Sequence, residues 1–363
     1  MRLGLHVNNS LTTGSEARNM LEDWIREVRP PMVKFLADAY RPDVVDFARQ
    51  HGCKVIARRV QHMGTLGPQG RDVLYSNIDW AAERGFSMDY LEFANEEFQG
   101  LHDPTEWDRL SQYMLGCMQS LDQRSGGRVK AIIYNCSVGQ PEPERWMRPD
   151  CIKALRYAEQ HGHLVGLHEY YKPTPWTWLH PGHSWHDWGN AEGYLMLRCR
   201  TAVRIWDALG LHPGFVITES GRDDVPGTPG HGKGFRDDPT YFVQGMTDYC
   251  RHLSFIKQCK GVVDFGFNAT GDHAWDSFRL DLERDIFYNL LSSMKTLPRM
   301  GDDDAIIIDD DCKLYEVKRG DTLWRIASEQ LGDGRRWPEL LRVVPMGDVR
   351  QLPVGALIVI RDA

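Results

Sequence analysis

The stretch FANEEF, residues 93–98, sets Asn95, Glu96 and Glu97 directly after the apolar run DYLEFA. A carboxylate at that point either caps the next helix or is aimed at a reacting group. A second run, GFVITES at 214–220, carries Glu219 at its end, and a third, LVGLHEYY at 164–171, closes in HEYY. Side chains alternate along a strand, so His168 and Tyr170 share a face, Glu169 points to the surrounding helices, and Glu97 turns away from Glu96. Two carboxyl groups whose environments push their pKa values apart can divide acid and nucleophile roles between them. A Tyr hydroxyl or a cation beside Glu219 would hold it ionised. Lys34, Arg58 and Arg59 are the cationic candidates, with Arg58 ahead of its neighbour; Glu92 falls on the face of Glu96 and fits a supporting network or an internal ion pair.

What must position these groups is a repeating strand and helix order. Apolar, β-rich runs occur at 3–8, 32–36, 54–60, 89–94, 129–135, 164–171, 214–220 and 262–268. Helical patterns lie between them. SEARNMLEDWIREV has apolar residues at 17, 20, 21, 24, 25 and 28 with Ser15 as N-cap, while DVVDFARQHG and CIKALRYAEQHG stop at Gly52 and Gly162. Eight such alternations predict an α/β protein built as a (β/α)8 barrel. The competing doubly wound sheet would need a Gly-rich phosphate loop after its first strand, and none is present. In a barrel the C-terminal ends of all strands share one mouth, which is where Glu96 and Glu219 are expected.

Composition narrows the function. The 363 residues are 42% hydrophobic and 26% charged with a formal charge of -8, so the surplus of Lys and Arg that neutralises phosphate in a nucleic-acid binder is missing. Twelve Trp beside thirteen Tyr is a high share of large flat faces, which carbohydrate sites use. No apolar run is long enough to span a membrane. The N-terminal residues become polar too soon for a signal peptide, so the expectation is a chain made in the cytoplasm, whose route to any target outside the cell would be phage release or non-classical export. The eight Cys show no CxxC and no paired spacing, which predicts buried free thiols. No cofactor is implied.

The character changes near residue 299. Residues 299–312 form an acidic linker, expected to be solvated and extended, between a barrel at 1–298 and a strand–helix–helix–strand tail at 313–363. The tail resembles the LysM module in Tyr315, Val317, the run Gly320 to Trp324, Ile326, Ala327, Leu331, Gly332, Leu352, Pro353, Gly355, Leu357 and Ile360. It departs in having Val344 and Pro345 where Asn-Pro is usual. Asp321 or Thr322 is expected to cap the first helix. The resemblance implies binding to glycans containing N-acetylglucosamine, in peptidoglycan or chitin.

An Asn-Glu ending strand four and a Glu ending strand seven resemble clan A of the glycoside hydrolases. That resemblance implies Glu96 as general acid and base, Glu219 as nucleophile, and Asn95 as the contact to the sugar 2-substituent. It also places Trp275, after strand eight, as the floor of the sugar subsite, with Arg58, His168 and Tyr170 lining it. Trp176, Trp178, Trp185 and Trp188, in the loop after strand six, would stack on pyranose rings or pack that loop on the barrel. The segment GRDDVPGTPGHGKGF after strand seven would act as a lid. His180, His183 and His186 recur every third residue, but Pro181 and Gly182 break any helix and no carboxylate pattern joins them, so no metal site is expected. The DxxDxDxE pattern of chitinases is absent, which favours peptidoglycan. The expected function is a retaining glycosidase anchored to a GlcNAc-containing wall polymer. The alternatives are a barrel that binds glycan without cleaving it, a clan A glycosidase for another polysaccharide, and a metal-dependent barrel enzyme, for which His6 stands alone.

Overall fold

In the computed structural model, residues 1–59, 68–96, 103–171, 196–222, 239–269, 278–297, 312–340 and 357–361 are described. Eight strands pair in sequence order, all parallel, and β8 returns to β1 to close a barrel. They are β1 (Gly4–Val7), β2 (Met32–Leu36), β3 (Lys54–Arg58), β4 (Tyr90–Glu92), β5 (Lys130–Cys136), β6 (Leu164–Tyr171), β7 (Gly214–Arg222) and β8 (Cys259–Phe267). Each is one of the eight apolar runs, with ends shifted by no more than three residues.

The helices are α1 (Glu16–Val28), α2 (Pro42–Gln50), α3 (Pro68–Glu83), α4 (Pro104–Ser125), α5 (Pro143–Trp146), α6 (Pro149–His161), α7 (Cys199–Ala208), α8 (Pro239–Ser254) and α9 (Arg284–Lys295). Their ends follow the capping signals. The Ser15 side chain accepts from the Arg18 N–H, Gly162 takes the left-handed conformation that closes α6, and Gly52 does so just beyond α2, after His51 has ended it. The apolar stripe of α1 packs inward through Leu21, Trp24, Ile25 and Val28, and the Trp24 indole N–H donates to the Leu3 carbonyl at 2.9 Å. This layer between strands and helices is the main core. Cys53, Cys117, Cys136, Cys151, Cys199, Cys250 and Cys259 are free and buried.

Inside the barrel the period-two alternation of the strands produces two layers. Met32, Ile56, Tyr90, Ile132, Leu164 and Val216 fill the N-terminal end with apolar side chains. Two residues further along β2, β3 and β4 come Lys34, Arg58 and Glu92, all buried. An apolar plug thus supports a charged layer one step nearer the C-terminal mouth.

Two strand ends differ from expectation. Pairing in β4 stops at Glu92, so Glu96 lies four residues beyond the strand, in a turn with φ 55°. Pairing between β6 and β7 runs on to Tyr171 and Arg222, so Glu219 sits inside β7 rather than at its tip. Register shifts between Phe215 and Ser220 of β7, against β6 and against β8, accompany the turn of Glu219 into the barrel.

The tail contains β9 (Cys312–Glu316), α10 (Leu323–Leu331), α11 (Trp337–Leu340) and β10 (Leu357–Arg361), with β9 and β10 antiparallel. Val317, Leu323, Ile326, Ala327, Leu340 and Ile360 form its own apolar cluster. Thr322 is the residue that caps α10, while Asp321 accepts from the Tyr315 hydroxyl and the Lys318 N–H. Leu352, Pro353 and Gly355, and residues 299–311 of the acidic segment, lie outside the described residues.

Candidate active site

Glu219 is the most heavily contacted carboxylate at the mouth. Its Oε1 accepts from Arg58 at 2.6 Å and from Lys34 Nζ at 3.2 Å, and His6 Nδ1 lies 3.6 Å away. Its Oε2 accepts from the Tyr170 hydroxyl at 3.1 Å and faces His168 Nδ1 at 3.5 Å. The cations therefore gather on one oxygen and leave Oε2 toward the opening. Burial alone would push this carboxyl up, but His168, Lys34, Arg58 and His6 outweigh it and hold it well below the ordinary carboxylate range. Burial lowers Lys34, with the like charge of Arg58 adding to the effect. Burial also opposes charge on Arg58, yet Glu219 and Glu92 overcome it and raise its pKa.

Glu96 comes to the same place by a different route. Its backbone N–H donates to the Asn135 carbonyl at 3.2 Å, and its left-handed conformation swings the side chain back over the barrel. A non-glycine residue held there carries strain of about 1–3 kcal/mol, which neighbouring structure must sustain. Tyr134 and Asn135, at φ 74° and 46°, bend the end of β5 beside it. His168 Nδ1 meets Glu96 Oε1 at 2.6 Å, so one imidazole lies between the two carboxylates. Glu96, His168 and Glu219 each bring one N or O atom within 4.8 Å of the others.

That trio has the spacing of a metal site. Its electrostatics point the other way, since a cation there would meet the positive charges that Lys34 and Arg58 already direct at Glu219. The arrangement suits an ionised nucleophile beside a second carboxyl group. Retaining glycosidases hold their two carboxyls closer together, about 5–5.5 Å, than inverting ones do, about 6.5–9.5 Å.

Six residues expected at the site come together: Glu96, Glu219, Asn95, His168, Tyr170 and Arg58. Arg58 also donates to Asn95 Oδ1 and, at 3.2 Å, to Glu92. The alternation of β3 decides between the two arginines, because Arg59 reaches Ser76 on α3 instead. Glu169 faces the helices, accepting from the Leu197 and Cys199 N–H groups at 2.8 and 2.7 Å and from the Tyr249 hydroxyl. Trp176, Trp178, Trp185, Trp188 and Trp275, the three histidines of the same loop, Glu97 and residues 223–235 lie outside the described residues.

Asn135 and Asp264 were not singled out from sequence, and His6 was weighed only as a lone metal ligand. Asn135 accepts from Thr218 Oγ1 at 3.0 Å, and its Nδ2, buried, has no partner among the described residues. His6 is buried beside Glu219 with no hydrogen bond to either ring nitrogen among the described residues, and burial followed by the charge of Lys34 lowers its pKa well below the ordinary value. Asp264, on β8, has a carboxyl that burial raises well above its ordinary value. A polar residue inside an apolar run was the available signal for His6 and Asp264.

No protein-family model matches the chain, and no curated protein does. Solved structures match at a distance. A β-glucuronidase from Bacteroides uniformis aligns at TM-score 0.47 and 10% identity, over 72% of this chain and 30% of that one. The chain thus spans less than a third of that enzyme's length. A GH5-4 broad-specificity endoglucanase from an uncultured bacterium aligns at 0.47 and 11%, over 82% and 94%. A GH2 β-galacturonidase from Eisenbergiella tayi aligns at 0.48 and 13%, over 83% and 52%. Likeness this remote says nothing about activity, so function rests on the side chains at the mouth.

Proposed function

We propose that this chain is a retaining glycoside hydrolase. The observation that carries the proposal is a pair of carboxylates, each bringing an oxygen within 4.8 Å of one on the other, with two buried cations holding Glu219. Glu219 Oε2 attacks the anomeric carbon as the glycosidic C–O bond breaks, and Glu96 gives its proton to the departing oxygen. Water then attacks the same carbon, passes a proton to Glu96, and releases Glu219. Two inversions return the original anomeric configuration. Arg58 holds Asn95 by its carbonyl oxygen, which orients the amide nitrogen for a sugar 2-substituent.

The substrate we propose is a GlcNAc-containing wall glycan, peptidoglycan first. Support comes from the LysM-like pattern of the tail, whose α10 exposes Trp324, and from the missing chitinase pattern. The test is digestion of purified peptidoglycan with mass spectrometry of the new reducing ends, together with proton NMR of the first product. Retained configuration is expected. An inverted first anomer would refute the assigned roles of Glu96 and Glu219, and no cleavage of any glycan would favour a binding barrel. The spacing of Glu96, His168 and Glu219 gives a metal-dependent hydrolase as second reading. Activity that survives EDTA is expected; loss restored by zinc would favour that second reading.

A further inference from the structure

Beneath the site lies a ring of four buried charges. Lys34 Nζ is 3.0 Å from Glu92 and 3.2 Å from Glu219, and Arg58 is 3.2 Å from Glu92 and 2.6 Å from Glu219. Each cation touches both anions. Among the described residues Lys34 and Arg58 are the charged partners of Glu92, whose side chain is fully buried. Lys34 also donates to the Thr218 carbonyl at 3.1 Å.

With Glu219 ionised the ring is neutral, two positive charges against two negative. Bonding of Glu219 Oε2 to the anomeric carbon turns that carboxylate into a neutral ester, and the ring is left with two cations and Glu92. Release of Glu219, when water takes its place at the anomeric carbon, restores the balance. We propose that Glu92 is a positioning residue that balances the two halves of the reaction, by taking up part of the positive charge that Lys34 and Arg58 would otherwise direct wholly at Glu219. This rests on the retaining mechanism proposed above. More positive charge on Glu219 makes it a weaker nucleophile and a better leaving group, and less makes it the reverse. Glu92 and Lys34 should therefore act with opposite sign.

Other groups facing Glu219 stay constant in the comparison. They are His6 on β1 at 3.6 Å, Tyr170 and His168 on β6 at 3.1 and 3.5 Å, and Glu96. Asp264 on β8 and Tyr170 both lie close to Gly221, where an added Cβ would be 3.5 Å from the Asp264 Oδ1 and 3.7 Å from the tyrosine ring.

The experiment follows dinitrophenolate release from dinitrophenyl glycosides, the N-acetylglucosaminide first, through the burst and the steady state, and records kcat/KM against pH. For Glu92→Gln the expected result is kcat/KM lower by about tenfold, no burst, and an acid limb moved to lower pH. For Lys34→Met it is a burst approaching one equivalent, lower kcat, and an acid limb moved to higher pH. Should Glu92→Gln not fold, Glu92→Asp keeps the charge but draws it back from the cations, and carries the same signs at smaller size. Shifts of the same sign in both variants, or an acid limb that neither moves, would overturn the proposal and leave Glu92 a structural ion pair. Failure of the retaining reading has its own signature: wild-type protein inert on every aryl glycoside, or Glu219→Gln as active as wild type.

Discussion

Glu219 receives two cations, a hydroxyl and an imidazole within 3.5 Å, more than an ion pair in a barrel needs for stability. The excess makes sense if the carboxylate must stay ionised next to a second acid. Glu219→Gln removes the proposed nucleophile and Glu96→Gln the proposed proton donor while keeping shape. Each is expected to lower turnover of a poorly activated substrate by several orders of magnitude, about 4 kcal/mol or more of barrier, with an unchanged circular dichroism spectrum. Steady-state kinetics on purified variants check this, and wild-type rates in either would remove that residue from the mechanism. The depressed pKa of Glu219 also sets a sign. As pH falls, kcat/KM should lose the nucleophile only below the ordinary carboxylate value of 4.5, because the cations stabilise its charged form.

At the scale of elements, the approach of β5 to β6 decides where Glu96 can hang. Gly166 leaves room for Asn135, and a Cβ placed there would lie 1.8 Å from Asn135 Oδ1. Gly166→Ala must therefore displace Asn135, whose carbonyl holds the Glu96 N–H. The expected outcome is a stability loss of about 1–3 kcal/mol for overpacking, with activity falling further than stability does. Urea titration and kcat/KM measured together check it; full activity would mean that the end of β5 has no part in placing Glu96. The cap of α1 makes a contrast. Ser15→Ala should cost about 1 kcal/mol and leave kcat unchanged, because α1 touches none of the charged groups.

For the whole molecule, buried histidines set the response to acid. Burial holds His163 and His252 down to about 4 from an ordinary 6.5, and His6 well below that ordinary value. Between those limits the unfolded chain binds protons that the folded barrel refuses, so stability falls as pH falls from 6.5 toward 4. Asp264, with its raised pKa, acts in the opposite sense, so single variants are needed. His252→Gln should lose less stability than wild type between pH 7 and pH 4, by up to about 3 kcal/mol. Parallel urea midpoints across that range would show that His252 titrates normally. Removing residues 300–363 tests the proposed role of the tail. Hydrolysis of soluble glycosides should persist while insoluble wall is attacked poorly, because attachment raises concentration only at a polymer surface. Equal loss on both would make the tail a support for the barrel.

Much of this was legible in the sequence because it is written in local periodicity. Eight apolar runs separated by amphipathic stretches specify a barrel, and the rule that strand ends share a mouth brings Glu96 and Glu219 together across more than a hundred residues. The helix caps at Ser15 and Gly162, and the outward turn of Glu169, follow from neighbours within a few positions. Register is a different matter. Whether Arg58 or Arg59 faced inward, and whether Lys34 reached Glu219, depended on how β2, β3 and β4 slide against one another, and a shift of one residue would have exchanged every side chain between the faces. Sequence also gave no warning of the left-handed turn at Glu96 or of the irregular pairing that turns Glu219 inward from within β7, since both arise from contacts between strands distant in the chain. The types of groups the site would use were set by the sequence, and which of them touch was decided by the packing of one strand on the next.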